Sequence, residues 1–198
     1  MRHAVRHLKE SDPILAAIIK RVGPLCMTYR EPSFEMMVRS IAFQQLNGKA
    51  AKTIYDRLVA AAGGTITPES ILALSEPQMR AAGLSRQKLS YIRDLAERTQ
   101  SGEIDFARLP EMSDEDVIAH LTRVKGIGVW SAQMFLMFAL RRPNIMPTAD
   151  YGIRAAIMRH YRKRKLPNPK QIEKLARPWH PYCSVACWYL WRSLDEIE

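Results

Sequence analysis

The chain has 198 residues, 47% of them apolar, and sets 30 lysines and arginines against 20 aspartates and glutamates for a net charge of +10. That apolar share excludes a disordered chain and suits one compact domain, or two packed lobes sharing a core. The basic surplus favours a polyanionic partner, nucleic acid before anionic membrane, over a merely basic cytosolic protein, and no apolar run approaches the ~18 residues of a spanning helix.

Apolar residues recur at helical spacing throughout and no stretch alternates with period two, so an all-α fold is expected. The start, MRHAVRHLKESDP, lacks the apolar core of a signal peptide, which predicts an unsecreted, cytoplasmic protein. Asp12-Pro13 opens the first predicted helix, through Ile14, Ile18 and Val22, with Asp12 as N-cap. Ser33 caps a second, carrying Phe34, Met37, Val38 and Ile41, and a third runs over 49–62 until Gly63-Gly64 stops it. Short helices follow after Thr67-Pro68 and over 76–82, then a longer one over 85–99 with a seam at Leu89, Ile92, Leu95 and Ala96. Ser113-x-x-Asp116 resembles a capping box before Val117, Ile118, Leu121 and Val124. Residues 129–140 are apolar almost all round, the pattern of a buried central helix. A proline-marked stretch, 143–147, leads to Asp150 and a helix over 151–161, and an aromatic-rich helix over 182–194 ends the chain.

Between two of these helices stands Leu121-x-x-Val124-Lys125-Gly126-Ile127-Gly128-Val129-Trp130-Ser131-Ala132. Two glycines one residue apart allow positive φ and close approach of another body, and the second helix starts there with its N–H groups and positive dipole end outward. Such an end suits a phosphate oxygen and is blind to base sequence. An ordinary helix-helix turn with a glycine C-cap has the same local pattern. The basic chain, Lys125 and the apolar Val124 and Ile127 tilt the reading toward a DNA-binding hairpin. Asp150, taken alone, is equally an N-cap and a catalytic carboxylate.

Four ordered motifs spanning about residues 12–195 resemble the helix-hairpin-helix (HhH-GPD) DNA glycosylases, and within them the DNA-3-methyladenine glycosylase II family in its compact form without an N-terminal β domain. The first is Phe34-x-x-x-Val38-Arg39-x-Ile41-x-x-Gln44-Gln45-Leu46-x-Gly48-Lys49-Ala50-Ala51, and the second is G-L-S-R-Q-K from Gly83 to Lys88. The third joins V-K-G-I-G-V-W-S-A to P-T-A-D-Y-G-I-R, with Asp150 twenty positions after Trp130; the fourth is W-x-P-Y-x-S-x-A-x-W-Y-L-W, from Trp179 to Trp191. Asn47 stands where the family has serine, and Cys183 where arginine is common.

The resemblance implies one glycosylase domain over 1–198 in two helical lobes, about 36–140 with its hairpin at 113–140, and 1–35 plus 141–198, with a DNA cleft and base pocket between them. It implies base flipping and a catalytic role for Asp150, acting on alkylated purines in double-stranded DNA: 3-methyladenine, with 7-methylguanine, ethenoadenine or hypoxanthine as further substrates. Trp130, Trp191, Phe43 and Met134 match the base pocket, although without the resemblance core packing is the better explanation of tryptophans on apolar helices. Gln45 and Leu46 are candidates for the wedge that fills the vacated stack, and equally for a buried amide and a core leucine. Lys125, Gly126, Ile127, Gly128 and Ser131 would meet the DNA backbone, and the carbonyls of Thr122, Val124 and Ile127 would hold Na+ or K+.

Where strand-nicking relatives carry a Schiff-base lysine, this chain has Trp130, so base removal alone is expected. No cofactor is required on this reading. Three cysteines supply neither a disulfide framework nor an iron–sulfur cluster, and His180, Cys183 and Cys187 at helical spacing read as core or interface positions more readily than as a zinc set. Arg86, Lys88 and the basic run from Arg159 to Lys165 are either phosphate contacts or solvated charge. The protein is expected to be a monomer. The competing functions are a damage-binding module without turnover, and a glycosylase for uracil, mismatched or oxidised bases.

Overall fold

The computed structural model describes residues 1–195; residues 196–198, the end of the predicted 141–198 segment, lie outside the described residues. Every regular element in the described residues is helical: α1 (Arg2–Ser11), α2 (Pro13–Val22), α3 (Phe34–Phe43), α4 (Gly48–Ala61), α5 (Pro68–Ala73), α6 (Glu76–Ala81), α7 (Arg86–Gln100), α8 (Asp114–Leu121), α9 (Val129–Phe138), α10 (Tyr151–His160), α11 (Pro169–Ala176) and α12 (Cys183–Arg192). None of the described helices is long and apolar enough to cross a membrane. The chain divides into two compact units, one of Met1–Tyr29 with Leu136–Glu198, the other of Arg30–Phe135.

In the 30–135 unit, α7 is the spine, and α3, α5 and α6 all pack on it. Its inner face buries Leu89, Ile92, Leu95 and Ala96 against Met37, Ile41, Ile71 and Met79, apolar area that is the main stabilising contribution here. The helix starts are chemically specified. Ser33, Asn47, Ser85 and Ser113 each accept an N–H of their own first turn, so Asn47 caps α4 as the family's serine would. Ser113 donates its hydroxyl to the Asp116 carboxylate (2.7 Å), a side-chain variant of the expected capping box.

The other unit is organised by α12, buried on every side from Cys183 to Leu190, with α2 and α10 packed against it. Asp12 ties three parts of this unit together. Its Oδ1 caps α2 through the N–H groups of Ile14 (2.9 Å) and Leu15 (3.0 Å), while Oδ2 accepts from the Tyr161 hydroxyl (2.6 Å) and the Trp179 indole (2.9 Å). Burial and the bond to Asp12 push the Tyr161 hydroxyl well above its ordinary pKa.

Three expectations need correction. The first helix begins at Arg2 rather than at Asp12; its buried residues are only Ala4 and Leu8, too thin a seam to stand out among its charges. Helix α11 was missed beside the basic run, although Asn168-Pro169-x-Gln171 forms a full capping box. Helix α9 is buried only beyond its first turn: Val129 and Trp130 are 54% and 48% exposed, so its apolar first turn is an exposed surface and not core.

Candidate active site and nucleic-acid interface

The hairpin is held from below by α7. The Lys125 N–H donates to Asp94 Oδ2 (2.9 Å), the Lys125 ammonium lies 3.5 Å from Oδ1, and Arg98 Nε donates to Oδ2 (3.0 Å). Burial alone would raise the Asp94 carboxyl, but the Lys125 N–H and the Arg98 guanidinium outweigh it and hold the group below the usual range. Gly126 has φ +76°, and a Cβ there would overlap the Tyr91 ring. Gly128 differs: its φ lies outside the left-handed region, and a Cβ would meet nothing within 4 Å. The Gly128 carbonyl accepts the Ala132 N–H (3.1 Å), so α9 starts at the second glycine and aims its dipole end past open space. Ile127 is 3% exposed, so its side chain is not available to a phosphate, whereas Gly126 and Gly128 on either side of it are exposed.

Beside the hairpin, Phe43, Gln45, Gly126, Trp130 and Ser131 line a depression of about 570 Å³ together with Lys88. Leu46, Met134, Lys125, Ile127 and Gly128 lie outside its lining. Leu46 is nonetheless 41% exposed, whereas Met134 is partly buried on α9. The Arg39 guanidinium sits 4.0 Å over the Phe43 ring, so one face of that ring already has a cationic partner. Gln45 adopts a left-handed conformation, φ 56°. Lys88 is not solvated charge: its ammonium donates to the carbonyls of Ala42 (2.8 Å) and Gln44 (2.6 Å), capping the end of α3. Arg86 is exposed, 3.9 Å from Glu76.

In the other unit, Ser184 on α12 fastens the loop that leads to Asp150. Its hydroxyl donates to the Arg142 carbonyl (2.7 Å) and accepts the Ile145 N–H (2.9 Å). The Asp150 N–H then donates to the Pro147 carbonyl (2.9 Å), turning the chain into α10. Asp150 is 8% exposed, and its Oδ1 accepts both the Ile153 N–H (2.8 Å) and the Trp191 indole N–H (2.9 Å). Capping and chemistry therefore fall on the same carboxylate. The half-buried Trp191 crosses the first turn of α10 over Gly152, where a Cβ would lie 2.9 Å from Trp191 Cδ1 and 3.2 Å from Asp150 Oδ1.

Gly152→Ala should thus separate helix stability from site geometry. Alanine favours the helix by up to about 1 kcal/mol, yet it pushes the indole off the carboxylate. The expected outcome is a thermal midpoint lowered only slightly, the helix gain offsetting part of the crowding cost, and a single-turnover base-release rate that falls about tenfold. Unchanged kinetics would mean that the indole bond has no part in the chemistry.

The remaining sulfur and basic positions stand apart from this carboxylate's hydrogen bonds. Cys183, in the place of the family's arginine, is fully buried, so it makes no DNA contact, and burial pushes its thiol up to about 12. Cys187 is buried too, while Cys26 and His180 are exposed; among the described residues no His, Cys, Asp and Glu cluster could hold a metal. Lys163, Arg164 and Lys165 are exposed on a groove floored by Ile157 and Leu175. Asp94, Tyr91, Gln44 and Gly152 escaped the sequence reading. All sat within quoted motifs or predicted helices, but only tertiary contact reveals their work.

A hairpin whose backbone is bared at its second glycine, and a buried aspartate at the head of a helix after a proline-marked loop, define a class of DNA-repair protein. Residues 38–181 match the HhH-GPD superfamily of base excision DNA repair proteins, and the chain belongs to that family. It is 35% identical to DNA-3-methyladenine glycosylase 1 of Schizosaccharomyces pombe over 194 residues, 94% of this chain and 85% of that one. Its fold is similar to the crystal structure of a DNA-3-methyladenine glycosidase from Bacillus halodurans, with a TM-score of 0.88 and 34% identity over 98% of this chain and 89% of the other. A 3-methyladenine DNA glycosylase of S. pombe in complex with abasic DNA superposes with a TM-score of 0.84 at 34% identity, covering 96% and 95%.

Proposed function

We infer that the protein is a monofunctional DNA glycosylase that hydrolyses the N-glycosidic bond of alkylated purines, 3-methyladenine foremost, and leaves an abasic site in an intact strand. The observation that carries this reading is the Asp150 carboxylate, buried at the head of α10 with the Trp191 indole bonded to it.

The hairpin grips phosphate through backbone N–H groups near Gly128, which accounts for binding without base selection. The damaged nucleotide leaves the stack at a cost of a few kcal/mol, least where alkylation has already weakened pairing. As the glycosidic bond breaks, its electron pair leaves with the base and cancels the positive charge that alkylation put there. Positive charge develops on the deoxyribose, and a carboxylate fixed by two N–H bonds stabilises it without having to reorganise. Water adds to the sugar carbon and gives up a proton, with Asp150 as the acceptor or orienting group. The Trp191 indole face beside it attracts a cationic base, and half-exposed Trp130 offers its ring for stacking in the depression of its own unit. Gln45 and Leu46 enter the vacated stack.

Neutral carbonyl oxygens suit a hard monovalent cation. The Val124 carbonyl, which accepts the Ile127 N–H at 3.1 Å, keeps a lone pair for one, so Thr122, Val124 and Ile127 would hold Na+ or K+ and add positive charge beside the phosphate. The enzyme works as a cytoplasmic monomer on double-stranded DNA.

Two measurements test the reading. Methylated genomic DNA incubated with the protein should release free 3-methyladenine; a damage-binding module would release nothing, and release of uracil or oxidised purines instead would reassign the substrate. Borohydride treatment during turnover should trap no covalent DNA adduct, because Trp130 offers no amine.

A further inference from the structure

We propose that Lys88 and Gln44 form a clasp that holds Gln45 and Leu46 against the hairpin, so that the loop entering the base stack is positioned by the element that grips the phosphate. The proposal rests on the reading of Gln45 and Leu46 as the inserting residues.

The chain leaves α3 at Phe43 with carbonyls that have no partner within the helix. Lys88, reaching from the first turn of α7, takes two acceptors at once, the Ala42 and Gln44 carbonyls at 2.8 and 2.6 Å. Its ammonium therefore fixes the peptide just before Gln45. From the same residue, the Gln44 side chain extends the other way, and its Nε2 donates to the Gly126 carbonyl at 3.1 Å. Gly126 in turn rests on Tyr91, one α-helical turn beyond Lys88 on α7. The loop is thus closed into a ring that runs from α7 to the end of α3, across to the hairpin and back to α7.

At the centre of this ring Gln45 has φ 56°, a conformation in which its Cβ crowds the following carbonyl. A non-glycine residue stays there only when its surroundings over-determine it. The clasp supplies that determination on both sides and so sets the direction in which the Gln45 side chain leaves the backbone. Gln45, Lys88, Gln44 and Gly126 all line the one depression, so loop and phosphate grip share a surface. Lys88 and Gln44 are positioning residues, since the Lys88 ammonium and the Gln44 Nε2 are already engaged on carbonyls.

The test uses Lys88→Met, Gln44→Met, their double variant, Lys88→Arg, and a Gln45→Ala/Leu46→Ala variant. Three readouts are taken: affinity for undamaged duplex, single-turnover release of 7-methylguanine, and the fluorescence of 2-aminopurine placed beside a tetrahydrofuran abasic site, which reports local unstacking. Each methionine variant should lose about tenfold in release rate and most of the 2-aminopurine response, while duplex affinity stays within about twofold. The double variant should lose no more than the worse single one, because both act on one loop. Lys88→Arg should recover most of the rate. Affinity, rate and melting temperature falling together without rescue by arginine would reduce Lys88 to a structural prop and overturn the clasp. Losses that simply add would overturn it as well. If the Gln45→Ala/Leu46→Ala variant unstacks DNA normally, the insertion reading fails and takes the clasp with it; if that variant is defective while both methionine variants behave as wild type, the clasp alone fails.

Discussion

Asp150→Asn should abolish most base release, by about 100- to 10,000-fold in the single-turnover rate, while leaving the protein folded and its duplex affinity near wild type. The expectation follows from the two jobs this carboxylate holds. As an N-cap, Oδ1 accepts the Ile153 N–H at 2.8 Å, and it also accepts the Trp191 indole N–H at 2.9 Å. An asparagine oxygen can take both bonds, and asparagine caps helices about as well as aspartate. What asparagine lacks is the negative charge that meets the developing positive sugar. Asp150→Ala provides the contrast. It should lose activity to the same degree, and in addition lose the cap, about 0.5–2 kcal/mol of stability, and leave the indole N–H without this acceptor. Measured together by base release and chemical denaturation, the pair separates charge from capping. An Asp150→Asn enzyme with wild-type turnover would leave Asp150 a cap and nothing more, and would move the chemistry to another group.

That the same residue can be both explains why its sequence context was ambiguous on its own. Capping signals are local, and most of them were legible. Asp12, Ser33 and Ser113 stand directly before helices that begin where those residues imply. The misses have physical reasons too. The seam of α1 is two residues deep, and the α9 pattern records what is apolar rather than what is covered, so a surface bared for a partner reads as core. The charge of Lys88 was visible, but not that it would be consumed by two carbonyls 44 and 46 positions earlier in the chain. Asp94 lay hidden in a helical seam whose neighbours are apolar, and its bond to the hairpin spans 31 positions. The reason for Gly152, a tryptophan crossing the helix, lies 39 residues further on and has no local signature.

The two hairpin glycines look alike in sequence and should fail in different ways when replaced. Gly126→Ala places a methyl group on the Tyr91 ring at a left-handed φ of +76°. The conformation costs about 1–2 kcal/mol and the overpacking roughly 1–3 more, so a loss of about 2–5 kcal/mol in stability is expected, with DNA affinity falling alongside it. Tyr91 cannot yield freely, because its hydroxyl accepts from Gln87 Nε2 at 2.6 Å. Adding Tyr91→Ala should therefore recover the overpacking share but not the conformational share, and that non-additivity is measurable in a double-mutant cycle. Gly128→Ala meets no neighbour within 4 Å and needs no unusual φ, so its melting temperature should stay at or slightly above wild type. Its duplex affinity should nevertheless drop about tenfold or more, because the methyl group occupies space that a phosphate must enter to reach the first N–H groups of α9. The contrast assigns each glycine its reason: Gly126 is required by the protein's own packing, and Gly128 by the approach of something outside it. Equal affinity in Gly128→Ala and wild type would show that the phosphate does not come to this end of α9.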